Sequence, residues 1–489
     1  MKRIAILCLL ALAVHASAQP WSIEKLGTGA KPEIALDDQG RPHIAYMIED
    51  LDGGTFYTVR NADGWQTDQV AGGYFYGPLD IALDGNGIPH IIYHDHEATG
   101  GIDDGDLAYA VLQGGNWATE IIADRGHDGW DGTLALDAQG RPHTAAIDPS
   151  QFGSTSGLEW AVKIGGDWTV TAIGSGPLPY EFGTDIAIDT QDRPHIVYHD
   201  GDERLNNSVG ADLLYATLDS GDWIIGAIDT EGDVGKFPSL ILDSQDRPHI
   251  AYFKWDSRNG GELKYAAWDG TAWQIESVDR MEDINIAFIG ARRSMSLALD
   301  AQDRPHIAYS DRTSVRYTRK NGDSWETGQI VALPSSVDLE LGQLVSLALE
   351  ANGRPHLTFF ELPLNASKST GTVYYAVGAI PTPTAISASA SADQPLPTSF
   401  TLEQNYPNPF NPTTTIHYAL PQAGTVQLDI YDTAGQHIRG LVDAHQAAGT
   451  FQVIWDGTDT AGRAVASGIY MSRLRTNHFA QMRKMVLLR

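Results

Sequence analysis

Cysteine is almost absent. The 489-residue chain has one, Cys8, inside its first apolar stretch, which excludes disulfide staples and thiolate metal sites from everything downstream. Long apolar runs are also missing beyond residue 14, so no later segment supplies the ~20 apolar residues of a membrane-spanning helix. Cations are few: 33 Lys and Arg stand against 62 Asp and Glu, for a net charge of −29. About −31 of this falls on residues 19–378, whereas residues 401–489 carry +1. Such a surface repels DNA, RNA and anionic lipid. It suits a salty medium, a cationic partner or bound divalent cations.

The chain begins MKRIAILCLLALAVHASAQP. A basic start, an apolar run from Ile4 to Val14 and the small residues Ala16-Ser17-Ala18 mark residues 1–18 as an expected secretory signal peptide. The remainder is expected to be exported, with no transmembrane segment.

One phrase then recurs. A Pro-His pair ends at His43, His90, His143, His195, His249, His306 and His356, at spacings of 47 to 57 residues. A period near 50 marks a propeller or solenoid. Each repeat reads as four short strands: an apolar run ending in an acid (IALD, LALD, LILD, LALE), a turn such as DSQD, then PHIAY, then LAYAVL or LKYAAW, then a run opened by tryptophan. The seventh repeat lacks its tryptophan run. Trp21, directly after the signal, supplies it, giving seven matching tryptophans (Trp21, Trp65, Trp117, Trp168, Trp223, Trp273, Trp325). The expected fold is all-β: a seven-bladed β-propeller over residues 19–378, its N-terminal strand closing the last blade and removing two exposed sheet edges.

The repeated histidines invite a metal or catalytic reading. With strands about 4.8 Å apart and an inner radius of about 6 Å, neighbouring copies lie roughly 9 Å apart, too far to share one ion. Reaction sites are single, asymmetric constellations. These histidines are therefore expected to be scaffold, bonded to backbone near the turn between the first and second strands. The turn acids (Asp37, Asp84, Asp137, Asp189, Asp243, Asp300) accept backbone N–H groups or pair with the following arginine.

Function is expected where the repeat breaks, in the loops after the second and fourth strands. These carry aromatics that could stack on sugars (Trp130, Trp255, Tyr74, Tyr76) beside Asp95 and Asp200, a glycan-binding combination. They also carry catalytic candidates: His94, His127 and His199 as bases, Tyr180, and Arg292 or Arg293 to neutralise a carboxylate. Asp103, Asp104 and Asp106 could hold calcium, although they lack the spacing of a defined calcium loop. No other cofactor is expected. The leading reading is a ligand-binding protein, most plausibly for a glycan. The alternatives are a polysaccharide lyase or glycoside hydrolase on the same face, and a protein-interaction or adhesion platform. A monomer is expected.

The blades resemble BNR-type repeats of the sialidase-like propellers, and WDGTAWQIE (268–276) is similar to a degraded Asp-box hairpin. The full Asp-box pattern is absent, and so is a FRIP-like motif. Some polysaccharide lyases of this architecture use His, Tyr and Arg around the channel, which motivates the enzyme alternative. Residues 379–400, rich in Pro, Ser, Ala and Thr, read as a linker. Residues 401–489 read as short alternating strands with Gly, Asn and Pro turns, hence a small Ig-like β-sandwich. LEQNYPNPFNPTTTIHYALP, VQLDIYDTAGQHIRGLV, WDGTDTAGRAVASGIYMSRL and MRKMVLLR resemble the type A C-terminal sorting domain of type IX secretion. That resemblance implies engagement of the type IX machinery, then surface attachment or release.

Overall fold

The computed structural model describes residues 21–48, 53–73, 77–95, 106–123, 130–148, 157–173, 183–200, 211–256, 260–281, 295–310, 314–332, 345–361, 371–379, 399–405, 408–410, 414–422, 424–433, 435–446, 449–455, 457–459, 463–476 and 479–488. The chain forms two compact units, one ending at Gly378 and one running from Ala379 to Arg489. Every regular element among the described residues is a strand.

The first unit is a propeller-like set of antiparallel meanders. Five separate four-stranded sheets follow the repeats, and a seven-stranded sheet joins the first repeat to the last. The joint is one long strand, Ser22–Leu36. Its first half pairs with Gly371–Val377, from Ser22 opposite Val377 to Gly29 opposite Gly371. Its second half pairs with Pro42–Ile48. The first strands of successive repeats touch in cyclic order, and the last, Val345–Leu349, returns to Ser22–Leu36.

Three layers of side chains hold neighbouring repeats together. Innermost, the free edge of each first strand would leave backbone N–H groups unpaired, which is costly. The preceding repeat supplies the acceptor. Leu134 N–H donates to Asp80 (2.8 Å), Leu240 to Asp185 (2.7 Å), Leu297 to Ser239, Leu347 to Ser296 (both 3.1 Å), and Ile34 to Ser346 (3.2 Å). In the middle, the second strands bury small residues such as Ala45, Ala145, Ala251 and Ala308 and the large rings of Tyr93, Tyr252 and Tyr309, as interdigitation requires.

Outermost, an aromatic on each third strand meets the tryptophan of the next repeat edge-on at 5.3–5.7 Å: Tyr57–Trp117, Tyr109–Trp168, Trp160–Trp223, Tyr215–Trp273, Tyr265–Trp325, Tyr317–Trp21 and Tyr375–Trp65. Edge-to-face pairs add about 0.5–1.5 kcal/mol each beyond area burial. Trp21 thus takes part like any other repeat tryptophan.

The second unit stacks two sheets. One orders Thr401–Leu402, Thr414–Leu420 and Gly449–Trp455; the other orders His437–Gln446, Gly424–Asp432, Gly468–Thr476 and Ala480–Leu487. Their alternating residues meet in a core of Tyr418, Leu428, Ile430, Phe451, Leu474, Met485 and a fully buried Trp455. The Trp455 indole N–H donates to the Thr458 carbonyl.

Candidate functional site

The recurrent histidines lie in a fixed relay. In the turn before six of them, the acid accepts two backbone N–H groups on one oxygen. Asp137 Oδ1, for example, takes those of Gln139 and Arg141 at 2.9 Å each. The other oxygen takes the arginine Nε–H, at 2.5–2.7 Å in five repeats. That second oxygen also faces the histidine: Nε2 lies 3.1 Å from Asp137, 3.2 Å from Asp189, 3.4 Å from Asp243 and 3.3 Å from Asp300. A carboxylate only accepts, so Nε2 carries the proton. Nδ1 therefore accepts the hydroxyl of the third-strand tyrosine, as with Tyr57 on His43 (2.6 Å) and Tyr317 on His306. In the third repeat Trp160 Nε1–H replaces the hydroxyl. The expected partner of these histidines was backbone near the turn; the structure gives them the turn carboxylate and a third-strand side chain instead.

Burial lowers the pKa of His43, His90, His143, His195, His249 and His306, and the nearby carboxylates oppose it only in part. Burial alone would raise the turn acids, but backbone N–H bonds and the arginines hold Asp37, Asp137, Asp189 and Asp243 low. In the third to sixth repeats the relay is neutral imidazole on ionised acid, with a side-chain partner on both ring nitrogens.

The opposite strand ends are aperiodic, and polar side chains concentrate where the fourth repeat meets the fifth. The strand Asp233–Leu242 starts three residues after the strand Asp222–Asp229. Its register shifts twice around Lys236. Gly235 (φ +92°) and Phe237 (φ +53°) make the bulge. A Cβ on Gly235 would lie 2.9 Å from Leu213 Cα, so only glycine fits.

The bulge turns Lys236 fully inside (0% exposed). Its ammonium lies 3.5 Å from Asp233, and Asp233 is 3.4 Å from His199 Nε2. The half-buried Trp255 ring sits 6.0 Å from the same ammonium. Alongside, Asp229 accepts Tyr252 O–H at 2.6 Å and the Lys264 ammonium. Asp212 donates its N–H to Asp200 Oδ1 at 2.7 Å. Burial, then the charges of Asp200 and Asp229, raises the Asp212 carboxyl above its usual value. Sequence reading missed Lys236 and Asp233. The available signal was the Gly-x-x-Pro of GKFPSLILD, set at the same distance from the turn acid as in GAKPEIALD at the first repeat, where Lys31 takes a similar left-handed φ of +50°.

The structure distributes the sequence candidates as follows. His94 is the penultimate residue of the second strand in the second repeat, His199 the last in the fourth, and each is 1% exposed. Burial, reinforced by Lys236, holds His199 below its ordinary value despite Asp233. Asp95 and Asp106 face each other across one strand pair, with Asp106 buried. Asp200 follows His199 and is half-buried. Trp130 and Trp255, expected in loops, both lie in strands. Trp130 opens Trp130–Leu136 opposite Ile147, and Trp255 ends Pro248–Asp256 opposite Asp233 and Gly261. The strands run further toward this face than the turn residues suggested. Tyr74, Tyr76, Asp103, Asp104, His127, Tyr180, Arg292 and Arg293 lie outside the described residues. Among the described residues no three His, Cys, Asp or Glu gather as a metal cluster, and no helix is long and apolar enough to cross a membrane.

Residues 411–477 match the sequence family described as FlgD Ig-like domain. No curated protein matches the chain. Among solved structures the chain is similar to an ulvan lyase described as a new family of polysaccharide lyase, at 12% identity and a TM-score of 0.48, covering 73% of this chain and 96% of that one. It is also similar to the polysaccharide lyase Uly1 (10% identity, TM-score 0.44, 72% and 90% covered). A third is an α-L-arabinanase of Penicillium chrysogenum complexed with arabinobiose (10% identity, TM-score 0.42, 61% and 92% covered).

Proposed function

We propose that the first unit is a seven-bladed propeller, closed by its N-terminal strand, that binds a glycan at the face where the second and fourth strands end. We further propose that the protein is exported through its signal peptide and taken to the cell surface by the type IX machinery, which engages residues 401–489. The seven tryptophan seams and the Ser22–Val377 pairing support the closed ring. One observation carries binding over catalysis. The described histidine candidates are sealed from solvent, while Trp255 remains partly exposed over a fixed lysine, with the Asp200 and Asp212 carboxylates at the same junction. An aromatic surface with pre-placed polar groups holds a sugar without turning it over.

The test is retention and turnover on a panel of acidic and neutral polysaccharides. The full chain is expected to be retained by at least one without releasing reducing ends or unsaturated uronate, and Trp255→Ala is expected to lose that retention. Product release from any member, or retention unaltered by Trp255→Ala, would contradict the reading.

A further inference from the structure

The outer seams between repeats are not equivalent, and the difference leaves an aromatic notch. At three seams the tryptophan indole donates to a glutamate three residues after the preceding repeat's tryptophan: Trp65 to Glu24 (3.1 Å), Trp168 to Glu120 (2.8 Å) and Trp325 to Glu276 (3.1 Å). A cation directly opposite that tryptophan in its hairpin closes each seam: Arg60 on Glu24 (3.3 Å), Lys163 on Glu120 and Lys320 on Glu276. Each covers the rings, with Arg60 5.5 Å from Trp65, Lys163 5.5 Å from Tyr109 and Lys320 5.9 Å from Trp325. These seams are filled.

Where the fourth repeat meets the fifth, both filling residues are gone. The glutamate position is Gly226, and a Cβ built there meets nothing within 4 Å. The cation position is Trp268, the hairpin partner of Trp273. The two indoles stand edge-to-face at 5.5 Å, both partly exposed. Among the described residues no carboxylate accepts the Trp273 indole N–H. Beside the gap Ile224 is 54% exposed, two residues before Gly226 and so on the same side of its strand. This hairpin is the WDGTAW stretch whose likeness to an Asp-box left its role open.

We propose that this notch, formed by Trp268, Trp273, Gly226 and Ile224 on the outer rim, is a binding site for a neutral glycan, separate from the mouth-face site. Two indoles inclined at 63° give a stacking plane and a wall for a pyranose ring, and the unengaged indole N–H donates to a hydroxyl. The ligand is neutral because the lysine or arginine of the filled seams is missing here. The surrounding charges are acidic: Asp219, Asp222 and Asp269 belong to the two hairpins that frame the notch. A polyanion would be repelled and an uncharged sugar would not.

Gly226→Glu supplies the discriminating test, because it installs the side chain that fills three of the other seams. In the full chain, titration of cellohexaose, laminarihexaose, mannohexaose and xylohexaose, followed by indole fluorescence and calorimetry, is expected to saturate with at least one. Gly226→Glu is expected to weaken that binding by about tenfold or more while leaving the unfolding midpoint equal or higher. Trp268→Ala is expected to weaken it comparably, which places the site at the notch rather than at the mouth face. No saturation at millimolar sugar, or equal affinity in wild type and Gly226→Glu, would overturn the proposal. So would a wild-type dimer that Gly226→Glu converts to monomer, since a second copy would then be the occupant.

Discussion

Unfolding this protein should consume protons in mildly acidic solution, and the number can be worked from the repeat. Seven described histidines, the six of the relay with lowered pKa together with His199, are pushed below 6.5 chiefly by burial. They are neutral in the fold and return to about 6.5 when the chain unfolds. Just below pH 6.5 the unfolded state therefore binds more protons, so stability falls as pH drops from 6.5 towards the folded values. At about pH 6 each released imidazole is roughly three-quarters protonated, for an uptake of up to about five protons. Integrated from about pH 7.5 to about pH 6, the loss is up to about 5 kcal/mol. The low-lying turn aspartates act in a different window: their contribution is present above 3.8 and fades only as pH falls below it. Urea unfolding across a pH series gives the slope, and unfolding in weakly buffered indicator dye gives the protons directly. His306→Gln, which keeps a donor and an acceptor but cannot titrate, should lower the uptake at about pH 6 by about three-quarters of a proton. An uptake below about two protons would refute the buried, neutral assignment.

The unfilled seams make a second prediction. Trp117 Nε1 is buried with no hydrogen-bond partner, because the residue in the glutamate position is Asp68, one methylene short. Asp68→Glu should stabilise by about 1 kcal/mol in denaturant unfolding, and an unchanged or lower midpoint would contradict the seam rule. Glu276→Ala, which strips partners from both Trp325 and Lys320, should cost about 1–3 kcal/mol in the same assay. Ending the chain at residue 400 should leave the protein periplasmic in cell fractionation while the full chain reaches the surface; identical distribution of the two would remove the sorting role proposed for residues 401–489.

Much of the architecture was legible because its strongest interactions recur. Each relay histidine follows its turn acid by six residues, and the third-strand aromatic precedes the fourth-strand tryptophan by eight in six repeats; those offsets underlie the relay and the seam. The innermost caps were not legible. Asp80, Asp185, Ser239, Ser296 and Ser346 share a position but not a residue type, since any short side chain with an acceptor can reach the next strand's N–H. Asp192, Asp246 and Asp303 drew no sequence reading of their own. They hold left-handed φ of 57–60°, a conformation that costs roughly 1–2 kcal/mol, where other repeats use glycine. Asp246 and Asp303 recover this by bonding Thr190 and Ser244 of the preceding repeat. The site was hardest to see. Its defining residue, Lys236, is turned inward by a backbone bulge, and no side-chain pattern announces a bulge. The histidines that looked reactive owe their burial to neighbouring repeats, which single-strand periodicity does not report.

The central claim is that the segment after Trp21 completes the last repeat and closes the ring. Apart from Cys8 the chain has no thiol, so a cysteine pair at directly opposed positions reports closure cleanly. Ser22→Cys with Val377→Cys should form one intramolecular disulfide on air oxidation in dilute solution and raise the unfolding free energy by about 2–4 kcal/mol. Thiols that stay free, or that pair only between molecules, would contradict the closed ring.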